Sequence, residues 1–234
     1  MHEKLSRIIS ILLTLLMLLV FLISVGQFFC GSRFWFEREF AAHENEIATE
    51  YGSEEAVRIS CETMDYLLGQ RDRLDEVKTT GSDQAFFNNR ELHHLSDCRV
   101  IFLRMIRVRN IALVISTIGV LILLATKKAA IFARSFIGTI RIAAVAAVVS
   151  VIVFAINFDK AYDFVHEMLF DNYLWIMNPA TDNLVNLMTI DIISETAGII
   201  LTVWICISLF LGKAVFRKLV PTESLIERIR ILAS

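Results

Sequence analysis

Four long apolar runs decide what this chain can become. Ile8 to Phe29 is long enough to cross a hydrocarbon core of about 30 Å as a single helix. Ile111 to Thr126, Ile140 to Ile156 and Thr196 to Leu211 follow, and the middle two need a neighbouring apolar turn to complete the crossing. Hydrophobic residues make up 56% of the 234 positions, above the roughly 45–50% of a soluble domain. The first run is expected to stay in place as a helix, because no small-x-small cleavage site follows it. Phe28 and Phe29, directly before Cys30, argue against a lipid-attachment motif there. The sequence therefore predicts a membrane α-helical fold with four transmembrane helices, at 8–29, 111–126, 140–156 and 196–211.

Basic residues orient the spans. Lys4 and Arg7 precede the first, Lys127, Lys128, Arg134 and Arg141 lie around the connection between the second and third, and Lys213, Arg217, Lys218, Arg228 and Arg230 follow the fourth. The positive-inside tendency then predicts cytoplasmic termini, a cytoplasmic loop at 127–139 and a cytoplasmic tail at 212–234. Arg104, Arg107 and Arg109 fall on the other side, where outer-leaflet phosphates can pair with them. Two extracytoplasmic segments remain, 30–110 and 157–195, the second with seven acids and only Lys160 as a base. Neither is large enough to fold securely alone; together they are expected to build one small cap. A formal net charge of −2 gives no basic field, which argues against nucleic acid as a partner.

Within the first outer segment, Val57, Cys61, Met64 and Leu68 recur at helical spacing behind Ser53, a candidate N-cap. Thr79 to Asp83 is expected to turn about Gly81. A second helical pattern starts at Glu91 and carries Leu92, Leu95, Phe102 and Ile106. It is expected to lie along the interface and bend before the second span, because a straight helix would put His94 about 25 Å from Ile111. Aromatic residues crowd both outer segments, including Phe34, Trp35, Phe36, Phe164, Phe170 and Trp175. Interfacial anchoring accounts for part of this; a confined, lipid-facing pocket is the sharper expectation.

No acid, lysine or histidine interrupts the span cores, so the chemistry is expected at the membrane surface rather than along an ion pathway. Two clusters carry the candidates. In Glu91-Leu92-His93-His94-Leu95-Ser96-Asp97, the residues Glu91, His94 and Asp97 share a helix face, so either carboxylate is placed to orient the imidazole. The second cluster is Val165-His166-Glu167, followed by Asn172, Trp175, Pro179 and Asp182. The sequence holds no HExxH zinc motif, no GxSxG elbow and no glycine-rich phosphate loop. Cys30, Cys61 and Cys98 are expected on the oxidising side, which permits one disulfide; a Cys98 nucleophile beside His94 is a further option.

The string Asn89-Arg90-Glu91-Leu92-His93-His94-Leu95-Ser96-Asp97 resembles the E-x-x-H-x-x-D signature of a bacterial four-helix integral membrane family, one that includes the lipoprotein intramolecular transacylases. The second pattern, running from Phe164 through His166, Phe170, Asn172, Trp175, Pro179 and Asp182 to Leu184, resembles that family too. The likeness extends to span number, loop sizes and motif order, with Cys98 standing where the family usually has valine. It implies transfer of the sn-2 acyl chain of a diacylglyceryl-cysteine lipoprotein to the cysteine α-amine. That reaction needs a base for an amine of pKa about 7.7–8.0 and an acid for the departing oxygen. His94 is the expected base and His166 its partner, with Glu91, Asp97, Asn172 and Asp182 in support and Phe164, Phe170 and Trp175 lining the pocket. His93 points about 100° away on the same helix. No cofactor or metal is implied; diacylated lipoproteins and membrane lipids are the implied partners, at the outer surface of the bacterial cytoplasmic membrane. Two other classes fit the residues: a non-enzymatic four-span scaffold in which Asp97 and Asp182 cap helices, and a metal-dependent hydrolase at the membrane surface.

Overall fold

The computed structural model of the chain describes residues 3–43 and 46–220. The part of the expected tail at 221–234, with Arg228 and Arg230, lies outside the described residues. Among the described residues the regular structure is helical: α1 Glu3–Cys30, α2 Arg33–Ala42, α3 Glu46–Tyr51, α4 Ser53–Leu67, α5 Asn89–Ala125, α6 Ala129–Ile156, α7 Phe158–Leu169, α8 Asn183–Leu187 and α9 Ile190–Leu219. Helices α1, α5, α6 and α9 are each long and apolar enough to cross a membrane, with mean hydropathy of 3.1, 2.2, 2.5 and 2.3 over their most apolar stretches. The chain divides into two compact units.

The first unit lies within Met1–Ser24, Val108–Val153 and Leu201–Ser234. Leu13, Leu18, Leu123, Phe132, Phe136, Ile140 and Trp204 form its core. Small residues let the helices approach. Gly119 faces Leu13 so closely that a Cβ there would lie 2.5 Å from the leucine side chain. Ser10 and Thr14 are fully buried, and each hydroxyl donates to the carbonyl four residues earlier at 2.7 Å, so neither leaves a polar group unsatisfied. The Trp204 indole N–H donates to the Leu18 carbonyl at 2.9 Å. The outward faces carry Ile142, Val145, Val149 and Phe210, all exposed. Such continuous apolar surface is compatible with lipid rather than water.

Helix α6 accounts for the shortness of the run at 140–156. It begins at Ala129, so most of the connection expected at 127–139 is helix, and α6 reaches 28 residues. The turn before it is a Schellman closure: Lys127 takes the left-handed conformation (φ 58°), its N–H donates to Leu124, and the N–H of Lys128 donates to Leu123. Helix α5 joins the polar stretch to the second apolar run. It is one helix over 37 residues, continuing through the stretch before Ile111 where the sequence suggested a change of direction. It contains no proline, and Gly119 is its one glycine, so nothing in its sequence interrupts the hydrogen-bond ladder.

The second unit comprises Val25–Arg107 and Phe154–Ile200. Both expected outer segments share one core, in which Leu184, Leu187 and Ile192 pack with Phe36, Phe40, Val57, Ile59, Phe87 and Leu95. In α4 the buried residues are Ala56, Val57, Ile59, Ser60, Thr63 and Leu67, while Cys61 and Met64 of the expected face are partly buried against the same core. Gly52 occupies the N-cap position with φ 91° and Ser53 is the first helical residue, so the expected serine cap is not formed. Gly69 ends the helix at φ 80°, and a Cβ there would meet Leu103 at 2.9 Å, so glycine is required both by conformation and by space. The turn about Gly81 forms as expected, with φ 84° and the Ser82 N–H donating to Thr79.

Candidate functional site

Every candidate residue lies in the second unit. The site is framed by the first turns of α5. Asn88 and Glu91 form a reciprocal capping box: the Asn88 N–H donates to Glu91 Oε2 at 2.7 Å, and the Glu91 N–H donates to Asn88 Oδ1 at 3.1 Å. The other carboxylate oxygen, Oε1, accepts the N–H of Leu184 in α8 at 2.6 Å. Burial raises the pKa of this carboxyl, while the backbone N–H groups of Asn88 and Leu184 oppose that shift. Asn88 also donates from Nδ2 to Asp182 Oδ1 at 2.8 Å, and Asp182 Oδ2 accepts the Asn178 N–H at 2.7 Å. Asp182 stands at the N-cap of α8 without a side-chain bond to that helix. Arg90 donates to the carbonyls of Tyr173 and Ile176.

Asp97, two turns further along α5, accepts from Asn172 Nδ2 at 2.9 Å. Asn172 Oδ1 in turn accepts the Leu174 N–H at 3.1 Å. The expected pairing of Glu91 and Asp97 with His94 is therefore corrected. Both carboxylates bind the 170–187 segment instead, and His94 is left to neighbours of another kind.

His94 is 6% exposed. Its Nε2 lies 3.4 Å from the Cys98 Sγ, one turn on, and its Nδ1 has no hydrogen-bond partner among the described residues. Burial lowers the pKa of His94 from 6.5 to about 4; His166 pushes the same way and Asp97 opposes. The imidazole is neutral across the physiological range. Burial pushes the Cys98 thiol up to about 12, so it stays protonated and is no thiolate nucleophile. All four cysteines are unpaired, and the disulfide that the sequence permitted does not form.

His166 comes from the last turn of α7. Its Nδ1 sits 2.8 Å from the Tyr162 carbonyl, a partner that can only accept, which places a proton on Nδ1 and leaves Nε2 as the atom for proton transfer. The ring is sandwiched by aromatics: Tyr162 at 3.9 Å, Trp175 at 5.0 Å and Phe170 at 5.7 Å between centroids. The His94 and His166 ring centres are 6.3 Å apart, and Phe170 also lies 5.0 Å from His94. Two imidazoles from separate segments thus converge beside one phenylalanine.

Trp175 is buried, with an indole N–H that has no partner among the described residues. Phe164, expected in the pocket, is 63% exposed, and Met168 and Tyr173 are exposed as well. His93 is exposed and outside the pair. Tyr162 belongs to the aromatic set of the second outer segment that the sequence offers for the pocket, but its stacking on His166 was not foreseen, although its position four residues before His166 on a helix was a readable signal. A separate groove of about 610 Å³, lined by residues such as Arg33, Tyr51, Arg58 and Thr80, contains none of the candidates. Among the described residues, the group whose donor atoms could hold a metal is Glu39, His43 and Glu195, which shares no residue with the histidine pair.

With this geometry in place, the comparisons with known proteins are specific. The sequence model of the family described as lipoprotein intramolecular transacylase Lit matches residues 8–191. The membrane integral lipoprotein intramolecular transacylase Lit from Bacillus cereus, solved in meso, superposes with a TM-score of 0.75 at 19% identity, covering 98% of this chain and 100% of that one. Two variants of the same Bacillus cereus protein, with a histidine replaced by arginine or by alanine, each superpose with a TM-score of 0.71 at 18% identity. They cover 97% of this chain and 95% and 96% of theirs. No curated protein matches the chain.

Proposed function

The chain belongs to the lipoprotein intramolecular transacylase family, and we infer that it moves the sn-2 acyl chain of a diacylglyceryl-cysteine lipoprotein to the α-amine of that cysteine. The product is an N-acyl, lyso-form lipoprotein. The observation that carries the mechanism is the convergence of His94 and His166 at 6.3 Å.

The attack closes an eight-membered ring within one substrate molecule, so orientation of the two ends is the main demand. Trp175 and Phe170 wall the space beside the imidazoles, and the exposed Phe164, Met168 and Tyr173 offer acyl chains and membrane lipids an apolar approach. His94, held neutral by burial, takes a proton from the amine as its nitrogen bonds to the ester carbonyl carbon. The resulting tetrahedral species collapses by breaking the bond from that carbon to the sn-2 oxygen. The proton held by His94 passes to the lone pair on Nε2 of His166 and from there to that oxygen, so both imidazoles end neutral as they began. No acyl carrier enters, because ester and amide belong to one molecule. Glu91, Asp97, Asn172 and Asp182 are positioning residues that hold the 170–187 segment against α5.

Lipoprotein N-termini from a host lacking N-acylation, analysed by mass spectrometry with and without this protein, test the reading. N-acyl lyso-forms are expected with the protein, and termini that stay diacylglyceryl with a free amine contradict it.

The density of Lys and Arg supports cytoplasmic termini, with the histidines at the outer surface. Membrane-impermeant thiol labelling of Lys128→Cys in intact cells is expected to fail; efficient labelling there reverses the orientation.

A further inference from the structure

We propose that Glu39, His43 and Glu195 form a binding site for one divalent transition-metal ion of the zinc type, separate from the histidine pair.

The site is assembled by two helix ends. Glu39 and His43 are one turn apart at the C-terminus of α2, where the His43 N–H caps the helix on the Glu39 carbonyl at 3.0 Å. Glu195 lies in the second turn of α9. The Trp35 indole N–H donates to Thr196 Oγ1 at 2.9 Å and fixes α2 to the residue beside Glu195. The donor atoms of the three residues all lie within 4.8 Å of one another.

One charge is already present, and it leaves the relevant atoms free. Arg38, stacked over Trp35 at 4.8 Å, binds Glu39 Oε1 and reaches Glu195 Oε2 at 3.4 Å. The remaining oxygens, Glu39 Oε2 and Glu195 Oε1, face the His43 Nε2 at 3.8 and 3.1 Å. Neither Glu39 Oε2 nor His43 Nε2 has a hydrogen-bond partner among the described residues, and the Glu39 side chain is fully buried. A buried carboxylate oxygen without a partner is costly unless something cationic meets it.

Zinc bonds of about 2.0–2.2 Å in tetrahedral geometry place adjacent donors about 3.3–3.5 Å apart. The observed 3.1 and 3.8 Å bracket that spacing. An imidazole with two carboxylates suits zinc or its first-row neighbours better than calcium or magnesium, which favour all-oxygen shells. A water molecule would complete four-coordination. The competing occupant is a proton on His43, bridging the two carboxylates with no metal.

The experiment uses the tag-free full chain in detergent, loaded with Zn²⁺, desalted and assayed for bound zinc. About one equivalent per chain is expected for the wild type and for His94→Asn. His43→Gln and Glu195→Gln, both at partly exposed positions, are each expected to bind less than about a tenth as much while keeping the wild-type helical circular dichroism. Zn²⁺ is also expected to raise Tm in the wild type and in neither variant, since an ion that binds only the folded state stabilises it. Two results overturn the proposal: substoichiometric zinc in the folded wild type, or one equivalent retained when both His43 and Glu195 are replaced.

Discussion

The Glu91 carboxylate accepts the Leu184 N–H at 2.6 Å, across 93 residues of sequence, while its other oxygen closes the N-terminus of its own helix on Asn88. This one side chain therefore anchors the loop that supplies Trp175 to the helix that supplies His94. Its burial, at 1% exposure, and the two backbone N–H groups it accepts mark it as a strut rather than a proton carrier.

Replacing Glu91 by alanine strands two backbone donors, and the expected cost is about 2–4 kcal/mol of stability. Glu91→Gln keeps an acceptor oxygen and is expected to lose less than half of that. Denaturation of both variants in detergent checks the order. A Glu91→Ala protein with wild-type stability and a rate as low as that of His94→Asn contradicts the strut and returns the carboxylate to the imidazole.

The histidines are expected to act as a unit. His94→Asn and His166→Asn should each lower the transacylation rate by about 10²–10⁴, the usual range for a positioned proton-transfer group. The double variant should be little worse than either single, because residues that act together are non-additive. His93→Asn is expected to be nearly silent. Asp97→Asn should fall between, since it weakens the tie to Asn172 and withdraws a charge that favours protonated His94. Rates on purified, folded variants decide; fully additive losses contradict a shared step.

His94 also predicts a pH dependence of stability. Its pKa is 6.5 when exposed and about 4 in the folded chain. The folded state thus binds its proton less readily than the unfolded one. The stability it contributes is complete above about pH 6.5 and is lost as pH falls toward 4. The His94→Asn variant is expected to lack that decline. Thermal melts between pH 7 and 4 check it, and parallel curves for the two proteins contradict the neutral, buried imidazole.

Hydropathy made the four long helices legible, because crossing a bilayer requires a run length that few other structures produce. The two histidines were legible as residues, but not their company. Helical spacing put Glu91 and Asp97 on the face of His94, yet the 170–187 segment takes both, Glu91 through the Leu184 backbone N–H and Asp97 through the Asn172 side-chain amide. The Asn88-x-x-Glu91 capping box was readable locally and signals a helix start rather than an orienting acid. The continuity of α5 was obscured by the change from polar to apolar composition near Arg107, which alters the solvent and not the backbone. Glu39 and His43 pair with Glu195 only through tertiary packing, which no local spacing records.

The central claim is an acyl shift within one molecule. A synthetic diacylglyceryl lipopeptide with an isotopically labelled sn-2 chain, incubated with the purified protein and fragmented in a mass spectrometer, tests it most directly. The account predicts a product of unchanged mass carrying the labelled chain on the cysteine nitrogen, formed by the wild type and not by His94→Asn. Loss of the labelled chain as free fatty acid, with the amine left unmodified, would be hydrolysis and contradicts the account.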